Sequence, residues 1–171
     1  MVPSLTLMPA TVLGDMLCAG GGCTLAIATR CSTAWGKFRK VLPILTSKHV
    51  FFLTHGKVLN DCIRSTLLHS SETWVPSAPD LPWLCRNDIS MICWICGVNP
   101  YDDVHMETLY AKFGIQEEAV ALRSKRLRWL GHVTHASSWI NSITDINIPC
   151  SRRRKRPRKS WSDSIRTDIN T

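Results

Sequence analysis

Apolar residues recur at three- and four-residue steps along most of the chain, the period of an amphipathic helix. Between residues 25 and 45, Ile27, Cys31, Ala34, Trp35, Phe38, Val41, Leu42 and Leu45 share one face. Lys37, Arg39 and Lys40 fall mainly on the other side, and Thr46 and Ser47 supply turn and cap chemistry. A second helix is predicted over roughly 49–70, carrying Phe52, Val58, Leu59, Cys62, Ile63, Thr66 and Leu67, with Gly56 as its weak point. Pro and Ser make 71–79 a loop. A third helix runs from about Asp80 to Cys96, with Pro82 in its first turn and Gly97 as C-cap. Its apolar positions are Leu81, Leu84, Ile89, Ile92, Trp94 and Ile95. Asp103 caps a short helix ending at Gly114. A fifth helix, about 116–134, starts acidic and turns basic, an order that suits the helix dipole at its first turn. Residues 135–151 read as a polar loop, and the stretch after Lys159 as a last helical turn or two. The fold class is therefore mainly α: a helical bundle over 24–134, an extended Gly-rich segment over 1–23 and a basic, partly disordered tail over 135–171.

Charge sharpens that division. Residues 1–122 hold 9 Lys/Arg against 10 Asp/Glu, whereas residues 123–171 hold 12 against 3. The net charge of +8 thus comes entirely from the last segment. A basic C-terminus points to a polyanionic partner, nucleic acid before membrane. No apolar run reaches the ~18 residues of a spanning helix. The eight cysteines are irregularly spaced, several within helical patterns, and the first residues lack the basic start of a signal peptide. Reduced thiols in the cytosol or nucleus, not a secreted disulfide framework, are expected.

Four stretches invite a chemical reading. Gly20, Gly21 and Gly22 are consecutive and no Lys follows before Lys37, so they read as a flexible turn rather than a phosphate loop. Cys93 and Cys96 have the spacing of a metal or redox pair. They close a helix instead of opening one, and no second ligand pair appears, so they read as core thiols. Asp102 and Asp103 look like a polymerase carboxylate pair, but they follow Tyr101 without the intervening residue of Tyr-x-Asp-Asp and lack apolar flanking strands, so they read as helix capping. The fourth stretch, Ser-Arg-Arg-Arg-Lys-Arg-Pro-Arg-Lys-Ser-Trp, has seven basic residues between 152 and 159, followed by Trp161. A second basic cluster with Trp129 lies upstream. Cations beside aromatics suit phosphate contacts with base stacking.

Several of these pieces, in order, resemble the C-terminal region of LINE-type (non-LTR) retrotransposon reverse transcriptases. They are residues 33–50, 56–74, 86–97, 122–133 and 148–161, and the resemblance spans roughly 12–168. Most specific are Ser71-Glu72-Thr73-Trp74, then Arg128-Trp129-Leu130-Gly131-His132-Val133, then the basic run with Arg156, Pro157 and Trp161. Lys155 stands where the family's last motif has Gly, and Cys93 where it commonly has Arg. The resemblance implies a primer-grip remnant over 1–23, keeping Leu13 and Gly14 of the family signature with Val12 in place of its aromatic. It implies a helical thumb over 24–134 and a basic segment over 135–171 that holds template and primer.

The family's fingers, palm and catalytic aspartates have no counterpart in the sequence, so no polymerase activity, metal or other cofactor is expected. What remains is sequence-tolerant nucleic-acid binding through Arg123, Lys125, Arg126, Arg128, Arg152, Arg153, Arg154, Lys155, Arg156, Arg158 and Lys159, with no small-molecule substrate and no membrane. Trp129 reads as packing, His132 as a helix-end residue, and Trp35 and Trp74 as core. The alternative is a non-functional transposon relic, or a promiscuous helical interaction protein, whose exposed apolar face drives association.

Overall fold

A computed structural model of the chain describes residues 10–12, 15–17, 23–99, 105–135 and 159–170. Its architecture is mainly α-helical. Strands β1 (Ala10–Val12) and β2 (Asp15–Leu17) form a small antiparallel ribbon, with Ala10 opposite Leu17 and Val12 opposite Asp15. Leu13 and Gly14 lie between them in sequence and outside the described residues, as do Gly20 to Gly22, Asp102 and Asp103.

Helix α1 (Thr24–Leu45) is the spine of the core. Ile27, Cys31, Ala34, Phe38 and Leu45 are buried, and Trp35, Val41 and Leu42 pack partly buried beside them. Lys37, Arg39 and Lys40 are exposed. The three- and four-residue spacing thus selects the buried face, and each large apolar side chain fully buried there is worth about 1.5–3 kcal/mol.

The second predicted helix is three pieces in succession: α2 (Phe52–Val58), a π-helical turn (Leu59–Arg64) and α3 (Ser65–Leu67). The π turn, bonded i to i+5, takes more residues per turn than an α turn, so its i, i+4 and i+5 positions share a face. Leu59, Ile63, Arg64 and Leu67 are all buried, while Cys62, which the α period places on the apolar face, is exposed. Gly56 permits the close approach of α2 to α5 (Met106–Phe113): a Cβ there would lie 1.8 Å from the Phe113 carbonyl oxygen.

A 3₁₀ turn (Ser71–Thr73) follows Ser70, which takes up φ +55°. Helix α4 (Asp80–Cys96) has the predicted bounds, and Gly97 ends it at φ +66°. Its N-terminus is tied by Asp80, whose Oδ2 accepts from the Ser77 N–H (2.7 Å), the Ser77 hydroxyl (2.6 Å) and the Thr24 hydroxyl (3.2 Å). Leu84, Met91, Ile92 and Ile95 are buried, whereas Trp94, expected on the apolar face, is 59% exposed and rests edge-on against Trp35 and Phe38. Trp74 is buried in the core.

Helices α6 (Glu118–His135) and α7 (Trp161–Ile169) complete the described fold. Helix α1 packs against α3, α4 and the π turn, α2 packs against α5, and α6 packs against α4 and the 71–73 turn, with α7 laid on α6.

Candidate nucleic-acid interface

Helix α7 is fastened at both ends, its start to the 71–73 turn and its far end to α6. Its N-terminus is fixed locally by a reciprocal cap: the Ser160 hydroxyl accepts from the Asp163 N–H (3.1 Å), and the Ser160 N–H donates to Asp163 Oδ2 (2.8 Å). The Ser160 N–H, with the Ser160 hydroxyl that donates to the same Oδ2 at 2.7 Å, holds the exposed Asp163 carboxyl below its ordinary pKa. The Trp161 indole N–H then donates to the Glu72 carbonyl (2.8 Å), joining the beginning of α7 to the 71–73 turn. Near the other end, Arg126 donates to both oxygens of Asp168, Nε to Oδ2 at 2.6 Å and Nη2 to Oδ1 at 2.8 Å. This bidentate pair is nearly dry, with both side chains under 10% exposed.

The Asp168 pairing changes the role of Arg126. The sequence assigns it to phosphate, but its guanidinium is turned inward and engaged by a carboxylate. Arg123 is half-buried, Arg128 and Lys159 are exposed, and Lys125 is half-buried with its Nζ donating to the Leu68 carbonyl (3.0 Å). Arg152, Arg153, Arg154, Lys155, Arg156 and Arg158 lie outside the described residues.

Lys125, Arg128, Trp129 and His132 line a groove of about 230 Å³ whose other wall carries Glu72. Trp129, read from sequence as a packing residue, is 39% exposed there. Helical spacing explains the grouping: 125, 128, 129 and 132 are the i, i+3, i+4 and i+7 positions of one face of α6. Glu72 comes from a distant turn, and its Oε2 is buried without a hydrogen-bond partner among the described residues. Sequence reasoning named Glu72 only within the Ser71–Trp74 motif, with no role at a site, and did not single out Asp168. Trp161 gave the only signal, an aromatic residue at the end of a basic run.

At the N-terminal end of α6 lies a second charged assembly, here structural. Arg64 donates to Asp88 through Nε (2.9 Å) and Nη2 (2.6 Å) and to the Gln116 carbonyl through Nη1 (2.5 Å). Its Nε is also 3.2 Å from Glu118 Oε2, without hydrogen-bond alignment. Burial raises the Glu118 carboxyl to about 8, Asp88 adds to the rise, and Arg64 and Lys125 oppose it. Burial also pushes the Cys31 and Cys85 thiols up to about 11, with Glu118 adding to both, so neither is an activated nucleophile. Burial disfavours the Arg64 cation, but Asp88, Glu118 and Tyr110 together outweigh it, and the guanidinium pKa is raised. Arg64 also lines an open cavity of about 500 Å³ with Leu53, Lys57, Asn60, Phe113 and Gln116.

Cys93 is buried in the last turn of α4 and Cys96 half-buried; among the described residues no group of three or more His, Cys, Asp or Glu is placed to hold a metal ion. Nor, among those residues, is any helix long and apolar enough to cross a membrane. No protein-family model, curated protein or solved structure matches the chain.

Proposed function

We propose that this chain is a thumb and basic C-terminal region of the LINE-type reverse-transcriptase kind, and that its activity is binding of nucleic-acid backbone without polymerisation. The observation that carries the reading is the fastening of α7. The Trp161–Glu72 bond tethers Lys159, and with it the end of the 152–159 run, to the turn whose Glu72 walls the groove of Lys125, Arg128, Trp129 and His132. Two basic segments separated by a long polar stretch of sequence thereby serve one surface. Of the described candidates, Arg128 and Lys159 are exposed to phosphate, Arg123 is half-buried, Lys125 keeps donors beyond its bond to Leu68, and Arg126 acts by fixing α7. An enzyme reading would need a palm supplied by another chain.

Fluorescence anisotropy with labelled single strands and duplexes in rising salt tests the proposal. Affinity should fall log-linearly, by roughly 0.9 of a log unit per log unit of salt for each duplex phosphate neutralised. Binding that is absent at low salt, or unchanged by salt, sinks it. A second reading draws on Ile44, Phe51 and Leu53, which are 51%, 83% and 61% exposed near the α1–α2 junction. Such a patch suits the promiscuous association of a relic. Size-exclusion chromatography separates the two: a monomer with a cooperative melt favours a retained binding module, and concentration-dependent aggregates favour the relic.

A further inference from the structure

We propose that the α1–α2 junction docks an acidic amphipathic helix of a partner protein. This goes beyond nucleic-acid binding, uses other residues, and stands whether or not that binding occurs. The apolar part of the surface projects into solvent: Phe51 is 83%, Leu53 61%, Ile44 51% and Phe52 40% exposed. Leu53 also lines the open cavity of about 500 Å³, with Lys57, Asn60, Asp61, Ile115 and Gln116. Patch and cavity thus form one surface, an apolar rise with a recess beside it. Phe52 is already fixed there, edge-on to Phe113 at 5.6 Å between ring centroids and with Lys112 Nζ 3.9 Å from its own.

Charge selects the occupant. Residues 24–60 hold six Lys/Arg and no Asp/Glu. Lys40, one helical turn before Ile44, is exposed, as are Lys48, Lys57 and Lys112. The acids close by are Asp61, whose Oδ1 accepts from the Asn60 amide (3.2 Å), and Glu117, next in sequence to Gln116. Cations around an apolar centre match a partner with carboxylates flanking an apolar stripe. Promiscuous association of an apolar patch needs no such frame.

Other occupants fit less well. A second copy of this chain would set the same cations against each other. Nucleic acid gains little from Ile44 and Leu53, which offer no aromatic face to a base. A bilayer surface leaves the recess unfilled, whereas a partner side chain can enter it. The surface is made of helices and presents side chains, not an open strand edge. A helix that lays its apolar face over Phe51 and Leu53, with one side chain in the cavity, is the mode that suits it.

The test uses the full chain and three labelled synthetic peptides of about 18 residues, five helical turns. One carries leucines at i, i+3, i+4 and i+7 spacing, with glutamate and glutamine elsewhere. The second replaces its glutamates with lysine, and the third its leucines with alanine. In anisotropy titrations the first should bind at least about tenfold tighter than either control. Phe51→Ser with Leu53→Ser should remove that advantage, and Lys48→Glu with Lys57→Glu should turn the preference toward the lysine peptide. All four residues are exposed, and circular dichroism melts verify that the fold survives. Equal binding of the acidic and lysine peptides would show mere stickiness, and equal binding of the leucine and alanine peptides mere charge. An acidic-peptide preference that persists in Phe51→Ser with Leu53→Ser would place the site elsewhere. Any of these overturns the proposal. So does a dimer, or flotation with vesicles of phosphatidylcholine and phosphatidylserine, that this double substitution abolishes, since the surface then belongs to a second copy or to a membrane.

Discussion

Arg64 is 3% exposed, so its charge must be met inside the protein, and Asp88 meets it with two hydrogen bonds. Removing one partner of such a pair is far more costly than the pair is stabilising, because the other charge stays buried. Arg64→Ala should lower unfolding free energy by about 3–5 kcal/mol in chemical denaturation. Glu118 titrates between the two states of the chain. Its folded pKa, about 8, lies above the ordinary 4.5 because burial and Asp88 disfavour its anion. The folded form therefore holds a proton that the unfolded form releases. Its contribution is fully present below pH 4.5 and declines as pH rises through about 8. The slope cannot exceed about 1.4 kcal/mol per pH unit. The groups facing it are Asp88, Arg64 and Lys125, with Cys31 and Cys85 nearby. Glu118→Gln should flatten the decline between pH 5 and 8 in a series of thermal melts; an unchanged slope would show that other groups cause it.

At the scale of elements, two helical glycines give opposite expectations from the same substitution. Gly36, within α1, has open space where a Cβ would go, so Gly36→Ala should stabilise by about 0.5–1 kcal/mol through helix propensity. Gly56 in α2 has the Phe113 backbone at 1.8 Å, and backbone cannot swing aside as a side chain can. Gly56→Ala should therefore destabilise by about 1–3 kcal/mol despite the same gain in propensity. Paired thermal melts decide both, and a Gly56→Ala chain as stable as Gly36→Ala would mean that α2 and α5 are not in close contact. Periodicity foresaw α1 and α4 because apolar faces and end residues agree there: Gly97 stops α4 where the last apolar position ends. The π turn was not legible, since a departure from the 3.6-residue period shows only in which side chains it buries. A sign of the charge network was present: Asp88 shares the core register of Leu84, Met91, Ile92 and Ile95, a buried position that a lone carboxylate could not hold.

Over the whole molecule, the Arg126–Asp168 pair holds the far end of α7 on α6. Asp168→Asn weakens that pair and should loosen α7 from α6, leaving composition almost unchanged. Strand affinity should then fall with little change in its salt slope, because the cations remain and only their convergence is lost. Anisotropy titrations at several salt concentrations separate the two effects. By itself the sequence determined the helical period, the ends of α4 and the C-terminal concentration of positive charge, since each is written within one helix or one run of residues. Tertiary structure alone decided that Arg126 turns inward, that Trp129 stays accessible and that Glu72 faces the cations of α6. Each of these depends on partners 42 to 89 residues apart in the chain, as in the Arg126–Asp168 and Trp161–Glu72 bonds. Local patterning has no access to such pairings, because the packing of α6 against the 71–73 turn and of α7 against α6 creates them.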